Sequence, residues 1–214
     1  MKEFKIALFD LDGTLLDTES QYSVFWGRMG EQYRPDVPGL SDIIKGTTLT
    51  QIFDRFFPDP QWQQQIVKEL NEWESHMQYP FFPGAETFVN DLRAHGVKTA
   101  VVTSSNEKKM ESVRRQKPSL DQLFDRILTA EMFRASKPAP DCYLQAAAAF
   151  GAKTEECVVF EDALTGLEAG MRAGMFTVGL ATTNPLDVIQ SRCSLAVTGF
   201  DAISYQLINS LLVG

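Results

Sequence analysis

Short apolar runs separated by longer amphipathic stretches form the main pattern of this sequence. The runs are Phe4–Phe9, Val97–Val102, Arg126–Leu128, Val158–Phe160 and Phe176–Leu180. They do not alternate cleanly with polar residues, which is typical of strands that are covered on both faces. The pattern therefore predicts five strands of a parallel sheet.

Helix-like stretches lie between several of these runs, and each ends at a glycine. The predicted helices are Gly84–His95 before Gly96, Pro138–Phe150 before Gly151, and Leu164–Ala173 before Gly174. Glycine suits the left-handed position that closes a helix. Alternating strands and helices predict an α/β fold with a doubly wound parallel sheet.

One region departs from this alternation. Residues 18–82, called the insert below, contain no clear strand, and apolar residues such as Trp62, Ile66, Leu70 and Trp73 recur there at helical spacing. We predict a helical insert at 18–82 and a core formed by residues 1–17 and 83–214. An insert in this place could act as a lid over the end of the first strand.

Composition narrows the class of protein. Apolar residues make up 44% and charged residues 22%, so the chain is predicted to be globular. The net charge of -8 disfavours a broad surface for nucleic acid or anionic membrane. The three cysteines have no metal-binding spacing, and no apolar run approaches the ~18 residues of a membrane span. We expect a cytoplasmic protein and, by default, a monomer.

The most distinctive motif follows the first strand and reads Asp10-Leu11-Asp12-Gly13-Thr14. The carboxyl edge of an open α/β sheet is where ligands bind, and residues two apart in an extended segment point the same way. Two neighbouring carboxylates repel each other, so a divalent metal is the expected compensation. A calcium loop is excluded, because Leu15 and Gln21 stand where it needs Gly and Glu.

Three further polar motifs follow or precede other strands. Thr103 and Ser104 come before a charged helix, and such a position can hold a phosphate. Lys137 precedes Pro138, which suits the first turn of a helix. Glu161-Asp162 follows a strand and could equally cap the next helix. Four such strand ends together favour a functional site.

The order of these motifs resembles the haloacid dehalogenase superfamily, in the phosphatase and phosphomutase branch that has a helical cap. The similarity covers nearly the whole chain and includes Lys137-Pro138-Ala139-Pro140 and Glu161-Asp162-Ala163-Leu164-Thr165-Gly166. The Asp-x-Asp-Gly-Thr motif is specific for phosphoryl transfer in that superfamily. The insert corresponds to its cap.

The resemblance implies a role for each motif. Asp10 would attack phosphorus and become an aspartyl-phosphate, and Asp12 would be the general acid and base. Mg²⁺ would be held by Asp10, by the backbone carbonyl of Asp12 and by Asp162, with Glu161 nearby. The remaining phosphate oxygens would be held by Thr103, the backbone N–H of Ser104 and Lys137. The implied partner is a small phosphorylated metabolite.

Three other classes of protein share part of this pattern, and two of them differ from the sequence in features that can be named. A β-phosphoglucomutase-type enzyme shares every core residue but resembles this chain less in the insert, where Tyr22 replaces a His and Leu49 replaces an Arg after Lys45-Gly46. Lys45 could still steer an anionic substrate. An inorganic pyrophosphatase is less favoured. A response-regulator receiver is disfavoured because it lacks the insert and carries its Asp in mid-chain.

Overall fold

The computed structural model describes residues 4–44 and 47–213. Six strands form one sheet in which every neighbouring pair is parallel, in the order β3-β2-β1-β4-β5-β6. The strands are β1 Ile6–Phe9, β2 Lys98–Val102, β3 Arg126–Leu128, β4 Cys157–Glu161, β5 Phe176–Leu180 and β6 Leu195–Val197. The five predicted strands and the α/β class are confirmed, whereas β6 was not predicted.

Eleven α-helices accompany the sheet within the described residues. They are α1 Glu19–Tyr33, α2 Leu40–Ile43, α3 Leu49–Phe56, α4 Pro60–His76, α5 Ala85–Ala94, α6 Glu107–Gln116, α7 Leu120–Leu123, α8 Asp141–Ala149, α9 Leu164–Arg172, α10 Leu186–Ile189 and α11 Tyr205–Val213. None of the described helices is long and apolar enough to cross a membrane.

The predicted helix ends are largely confirmed. Gly96, Gly151 and Gly174 all have a positive φ, as a left-handed residue after a helix requires. The prediction for Pro138 was wrong, because α8 begins only at Asp141 and Pro138 lies in the preceding loop. Proline is compatible with a first helical turn but does not compel one.

Side chains from both faces of the sheet are buried, as the strand composition predicted. Along β1, Ala7 and Phe9 belong to one apolar cluster, whereas Ile6 and Leu8 belong to another. The ring of Phe9 stacks on Phe160 of β4 with centroids 4.4 Å apart. Phe9 and Phe160 are also partners in the register of β1 and β4, so the residues that follow the two strands meet at one edge.

The insert contributes α1 to α4 and an apolar cluster of its own. Phe25 and Trp26 of α1, Phe53 of α3 and Ile66 of α4 are buried in it. Each of these three helices turns one side inward, which is how amphipathic helices form a small core. The isolated bridge between Leu16 and Phe81 brings the two ends of the insert together.

Candidate active site

A cavity of about 430 Å³ lies at the carboxyl edge of the sheet, between the strand ends and the insert. Its lining includes seven of the eight residues predicted for the site: Asp10, Asp12, Thr103, Ser104, Lys137, Glu161 and Asp162. The eighth, Lys45, lies outside the described residues. Four separate motifs therefore converge on one cavity: three follow strands, and Lys137 comes from a loop.

Asp10 lies directly after β1 and is paired with a buried lysine. The Lys137 Nζ is 2.5 Å from Asp10 Oδ1 and 2.6 Å from Glu161 Oε1. Burial raises the pKa of Asp10 to about 7, although the Lys137 ammonium acts against this shift. For Lys137 itself burial lowers the pKa, but the two carboxylates outweigh burial and raise it well above its usual value. Lys137 is therefore a fixed cation beside Asp10.

Glu161 is fully engaged in hydrogen bonds at the end of β4. Its Oε1 accepts from Lys137 and from the Tyr143 hydroxyl at 2.9 Å, and its Oε2 accepts from the backbone N–H groups of Asp162 and Ala163. A Cβ on Gly166 would collide with the Glu161 carboxylate, so a larger residue there would displace that carboxylate from its hydrogen bonds. Glu161 thus holds Lys137 in place.

Asp162 is held by two threonine hydroxyls. Thr14 donates to its Oδ1 at 2.6 Å and Thr183 donates to its Oδ2 at 2.5 Å. Burial raises the pKa of Asp162 well above its usual value, and the neighbouring carboxylates of Glu161 and Asp10 add to the shift. The chain passes close by at Gly13, whose φ of 80° is left-handed and where a Cβ would lie 2.3 Å from Asp162 Oδ2.

Asp10, Glu161 and Asp162 form a buried acidic cluster. Each offers a carboxylate oxygen, and these oxygens lie within 4.8 Å of one another. Hard oxygen donors at this separation suit Mg²⁺ or Ca²⁺. Burial, and after it the repulsion between the carboxylates, raises the pKa of Asp10 and Asp162, and a cation there would offset both effects. The donor set therefore fits a hard divalent cation.

The Asp12 carboxylate lies apart from the acidic cluster, on the side of the insert. It accepts hydrogen bonds from Thr18 at 2.7 Å, from Ser105 at 2.8 Å and from Lys109 at 2.5 Å. Burial raises the pKa of Asp12, but Lys109 and the hydroxyl donors outweigh burial and lower it. The two aspartates of one motif thus have opposite environments, which is the usual basis for dividing chemical roles between two carboxyl groups.

Thr103 and Ser104 occupy the turn between β2 and α6. Thr103 is buried and its hydroxyl accepts from the backbone N–H of Ser105 at 3.0 Å. The helix starts with Asn106 as its N-cap, whose side chain accepts from the backbone N–H of Lys109. The predicted charged helix from Glu107 is confirmed, and its start faces the cavity, where it can attract an anion.

Comparison with known protein families identifies the family to which this chain belongs. A family model described as haloacid dehalogenase-like hydrolase matches residues 7–180, which include all four motifs. The chain belongs to this family. The resemblance predicted from the motifs is therefore confirmed, and the protein is an enzyme of the hydrolase class.

Two relatives in sequence and one solved structure are similar to this haloacid dehalogenase-like hydrolase over most of its length. Validoxylamine A 7'-phosphate phosphatase of Streptomyces hygroscopicus subsp. limoneus is 31% identical over 194 residues, covering 87% of this chain and 90% of that protein. Protein SUPPRESSOR OF QUENCHING 1, chloroplastic, of Arabidopsis thaliana is 32% identical over 187 residues, which are 82% of this chain but 18% of that protein. A β-phosphoglucomutase structure from Clostridium difficile has a TM-score of 0.80 at 20% identity, covering 98% and 97% of the two chains. This structural similarity supports the assignment of the fold.

Two side chains of this haloacid dehalogenase-like hydrolase were not recognised from sequence. Lys109 pairs with Asp12, and Thr183 donates to Asp162. Lys109 had a weak signal, since it is the third residue of a helix that starts at the site edge, and helical side chains point toward the N-terminus. Thr183 follows β5 in the order of strand ends, but a lone threonine in a loop carries no signal of its own.

Proposed function

We propose that this chain is a Mg²⁺-dependent phosphatase that hydrolyses a small phosphorylated metabolite through an aspartyl-phosphate. The observation that carries the proposal is the contact of Asp10 with Lys137 beside the acidic cluster, in a cavity that also holds Asp12. A nucleophile, a fixed cation and a second carboxyl group are what two-step phosphoryl transfer needs. The relative that acts on validoxylamine A 7'-phosphate supports a phosphatase.

In the first step, a carboxylate oxygen of Asp10 attacks phosphorus. The phosphorus–oxygen bond to the substrate's alcohol breaks, and Asp12 gives that oxygen its proton; for this step Asp12 must first take up a proton, against the lowered pKa that Lys109 and the hydroxyl donors give it. In the second step, a water oxygen attacks the aspartyl-phosphate while Asp12 takes a proton from the water. The phosphorus–oxygen bond to Asp10 breaks and its electron pair returns to the carboxylate, which releases inorganic phosphate.

Lys137, Thr103 and the backbone of Ser104 bind the phosphoryl oxygens in this mechanism. Lys137 also neutralises Asp10, so that one anion can approach another, and Glu161 keeps its ammonium in place. Asp10, the Asp12 backbone carbonyl and Asp162 would hold Mg²⁺, and Glu161 lies beside them. The ion supplies positive charge that stabilises the transferring group.

The insert, proposed here as a cap domain over residues 18–82, selects the leaving group. It lines the cavity with hydroxyl and apolar side chains, among them Tyr22, Ser23, Trp26, Thr48 and Leu49, and also with the acidic residues Glu19, Asp42 and Glu74. A cavity of about 430 Å³ has the size of a small-molecule site. The remaining residues, 1–17 and 83–214, form the proposed catalytic core.

A β-phosphoglucomutase-type activity is the second candidate, because every core residue is shared with it. Tyr22 stands where such mutases carry the His that delays water attack, and its hydroxyl donates to Glu74 instead. We therefore expect hydrolysis to prevail. The test is incubation with β-glucose 1-phosphate and a trace of the bisphosphate, alongside a panel of phosphorylated metabolites. Rapid formation of glucose 6-phosphate with little free phosphate would replace the phosphatase by the mutase.

Mg²⁺ is expected to stabilise the protein, and more so as the pH rises. In the metal-free fold Asp10, with its pKa of about 7, and Asp162 retain protons that the unfolded chain has released, so stability falls as the pH rises through this range. A bound cation replaces those protons. Thermal unfolding should therefore show a larger Mg²⁺-induced rise in Tm at about pH 8 than at about pH 5.

Asp162→Ala is the matching variant, and it should reduce both this rise in Tm and the activity at low Mg²⁺. Asp187→Ala, on an exposed part of α10, is the control and should respond to Mg²⁺ like the wild type. Full turnover in an excess of chelator would contradict the metal requirement.

A further inference from the structure

Lys109 is buried at the start of α6, and its charge is paired with the Asp12 carboxylate. The Lys109 side chain is 5% exposed, and its Nζ lies 2.5 Å from Asp12 Oδ2. The other Asp12 oxygen accepts from Thr18, at the junction with the insert, and Ser105 donates to the same oxygen as Lys109. Three donors, one beside the insert and two from the turn and first residues of α6, therefore fix one carboxylate.

The insert covers Lys109 from the other side. Its Nζ lies 4.5 Å from the centre of the Tyr22 ring, which is cation–π distance. The Tyr22 hydroxyl donates to Glu74 Oε1 at 2.8 Å, and Glu74 is buried on α4. A continuous set of contacts therefore joins Asp12, through Lys109 and Tyr22, to Glu74 on α4.

We propose that Lys109 is a positioning residue that holds the Asp12 carboxylate for the attack of water, and that the Tyr22 ring of the insert keeps Lys109 in place. The proposal rests on the phosphatase function above. A carboxylate that must take a proton from water needs both its negative charge and a fixed direction. An ammonium group in contact supports the first requirement, and three donors supply the second.

When the substrate is an aryl phosphate, the two chemical steps depend to different degrees on the positioning of Asp12 by Lys109. A nitrophenolate leaves without a proton, so formation of the aspartyl-phosphate needs no help from Asp12. Hydrolysis of the aspartyl-phosphate still needs Asp12 to take a proton from water. Loss of the Lys109 contact should therefore slow the second step selectively.

The test is Lys109→Met, assayed with 4-nitrophenyl phosphate under steady-state and rapid-mixing conditions. Methionine keeps much of the volume but removes the charge and the donors. We expect kcat to fall about 10- to 100-fold, the scale of a misplaced catalytic group. We expect KM to fall with it, so that kcat/KM stays close to the wild-type value. A burst approaching one nitrophenolate per enzyme should precede the slow phase.

Two further variants separate a positioning role from a structural one. Lys109→Arg keeps a charged donor and should recover part of kcat, whereas Lys108→Met, on the exposed neighbour, should resemble the wild type. Equal losses of kcat and kcat/KM without a burst, or an unchanged kcat, would overturn the proposal. If the wild type released no phosphate from any phosphomonoester, the phosphatase function itself would fail.

The contribution of the insert is tested at Tyr22. Tyr22→Phe keeps the ring beside Lys109 and loses only the hydroxyl, whereas Tyr22→Leu loses the ring. If the ring holds Lys109, Tyr22→Leu should lower kcat more than Tyr22→Phe and should show a larger burst. Equal effects of the two variants would show that the Tyr22 ring does not hold Lys109, and the insert would then have no part in positioning Asp12.

Discussion

Asp10→Asn is expected to reduce turnover to background, by on the order of 10⁴-fold or more. An amide is a poor nucleophile, and without the covalent intermediate the reaction has no second route in this cavity. The fold should survive, because Lys137 keeps its contact with Glu161 and the amide oxygen can still accept from Lys137. The measurement is phosphate release from an alkyl phosphate, with thermal unfolding of the same sample to establish the fold.

Asp17→Asn is the matched control for Asp10→Asn. Asp17 lies on the same loop, but its side chain is exposed and does not line the cavity. The control should retain wild-type turnover. Substantial activity in Asp10→Asn, with the control unchanged, would show that Asp10 is not the nucleophile.

Lys137→Met is expected to impair both stability and catalysis. The substitution leaves the buried carboxylates of Asp10 and Glu161 without their shared cation, and breaking a buried ion pair in this way costs about 3–5 kcal/mol. The loss should be smaller at low pH, where Asp10, whose pKa is raised by burial to about 7, can take up a proton, and larger as the pH rises. Urea unfolding at two pH values measures this, and phosphate release measures the catalytic loss.

Lys5→Met provides the comparison for Lys137→Met. Lys5 pairs with Glu156 at 2.7 Å, but its side chain is 66% exposed, and exposed ion pairs contribute little. The two variants therefore remove the same type of contact in opposite environments. Similar stabilities of Lys137→Met and Lys5→Met would mean that the Lys137 contacts do not hold the site together.

Four of the five strands that the sequence predicted have a strong local signal. β1, β2, β4 and β5 each contain four or five residues, most of them buried apolar side chains, and a parallel strand covered on both faces has this appearance. β6 has three residues, and two of them are only half-buried. β3, at the other edge of the sheet, is equally short and no more buried, yet it was predicted, so shortness alone does not explain why β6 was missed.

Motifs at strand ends determined most of the candidate site. Asp10, Thr103 and Asp162 could be assigned to one edge because parallel strands end on the same side of a sheet. The register of β1 against β2 and β4 then decided how closely they approach. Lys137 follows no strand directly, and its contact with Asp10 depends on a loop whose path the sequence did not specify.

The sequence by itself determined the family, the α/β class and the catalytic motifs, because each is carried by residues close together in the chain. Only the tertiary structure decided how the charges pair. Asp10 with Lys137 and Asp12 with Lys109 are contacts between residues 127 and 97 positions apart. Such pairs depend on burial and on the strand register and loop paths that bring a particular cation beside each carboxylate. Local pattern specifies neither, so two aspartates of one short motif acquired opposite environments.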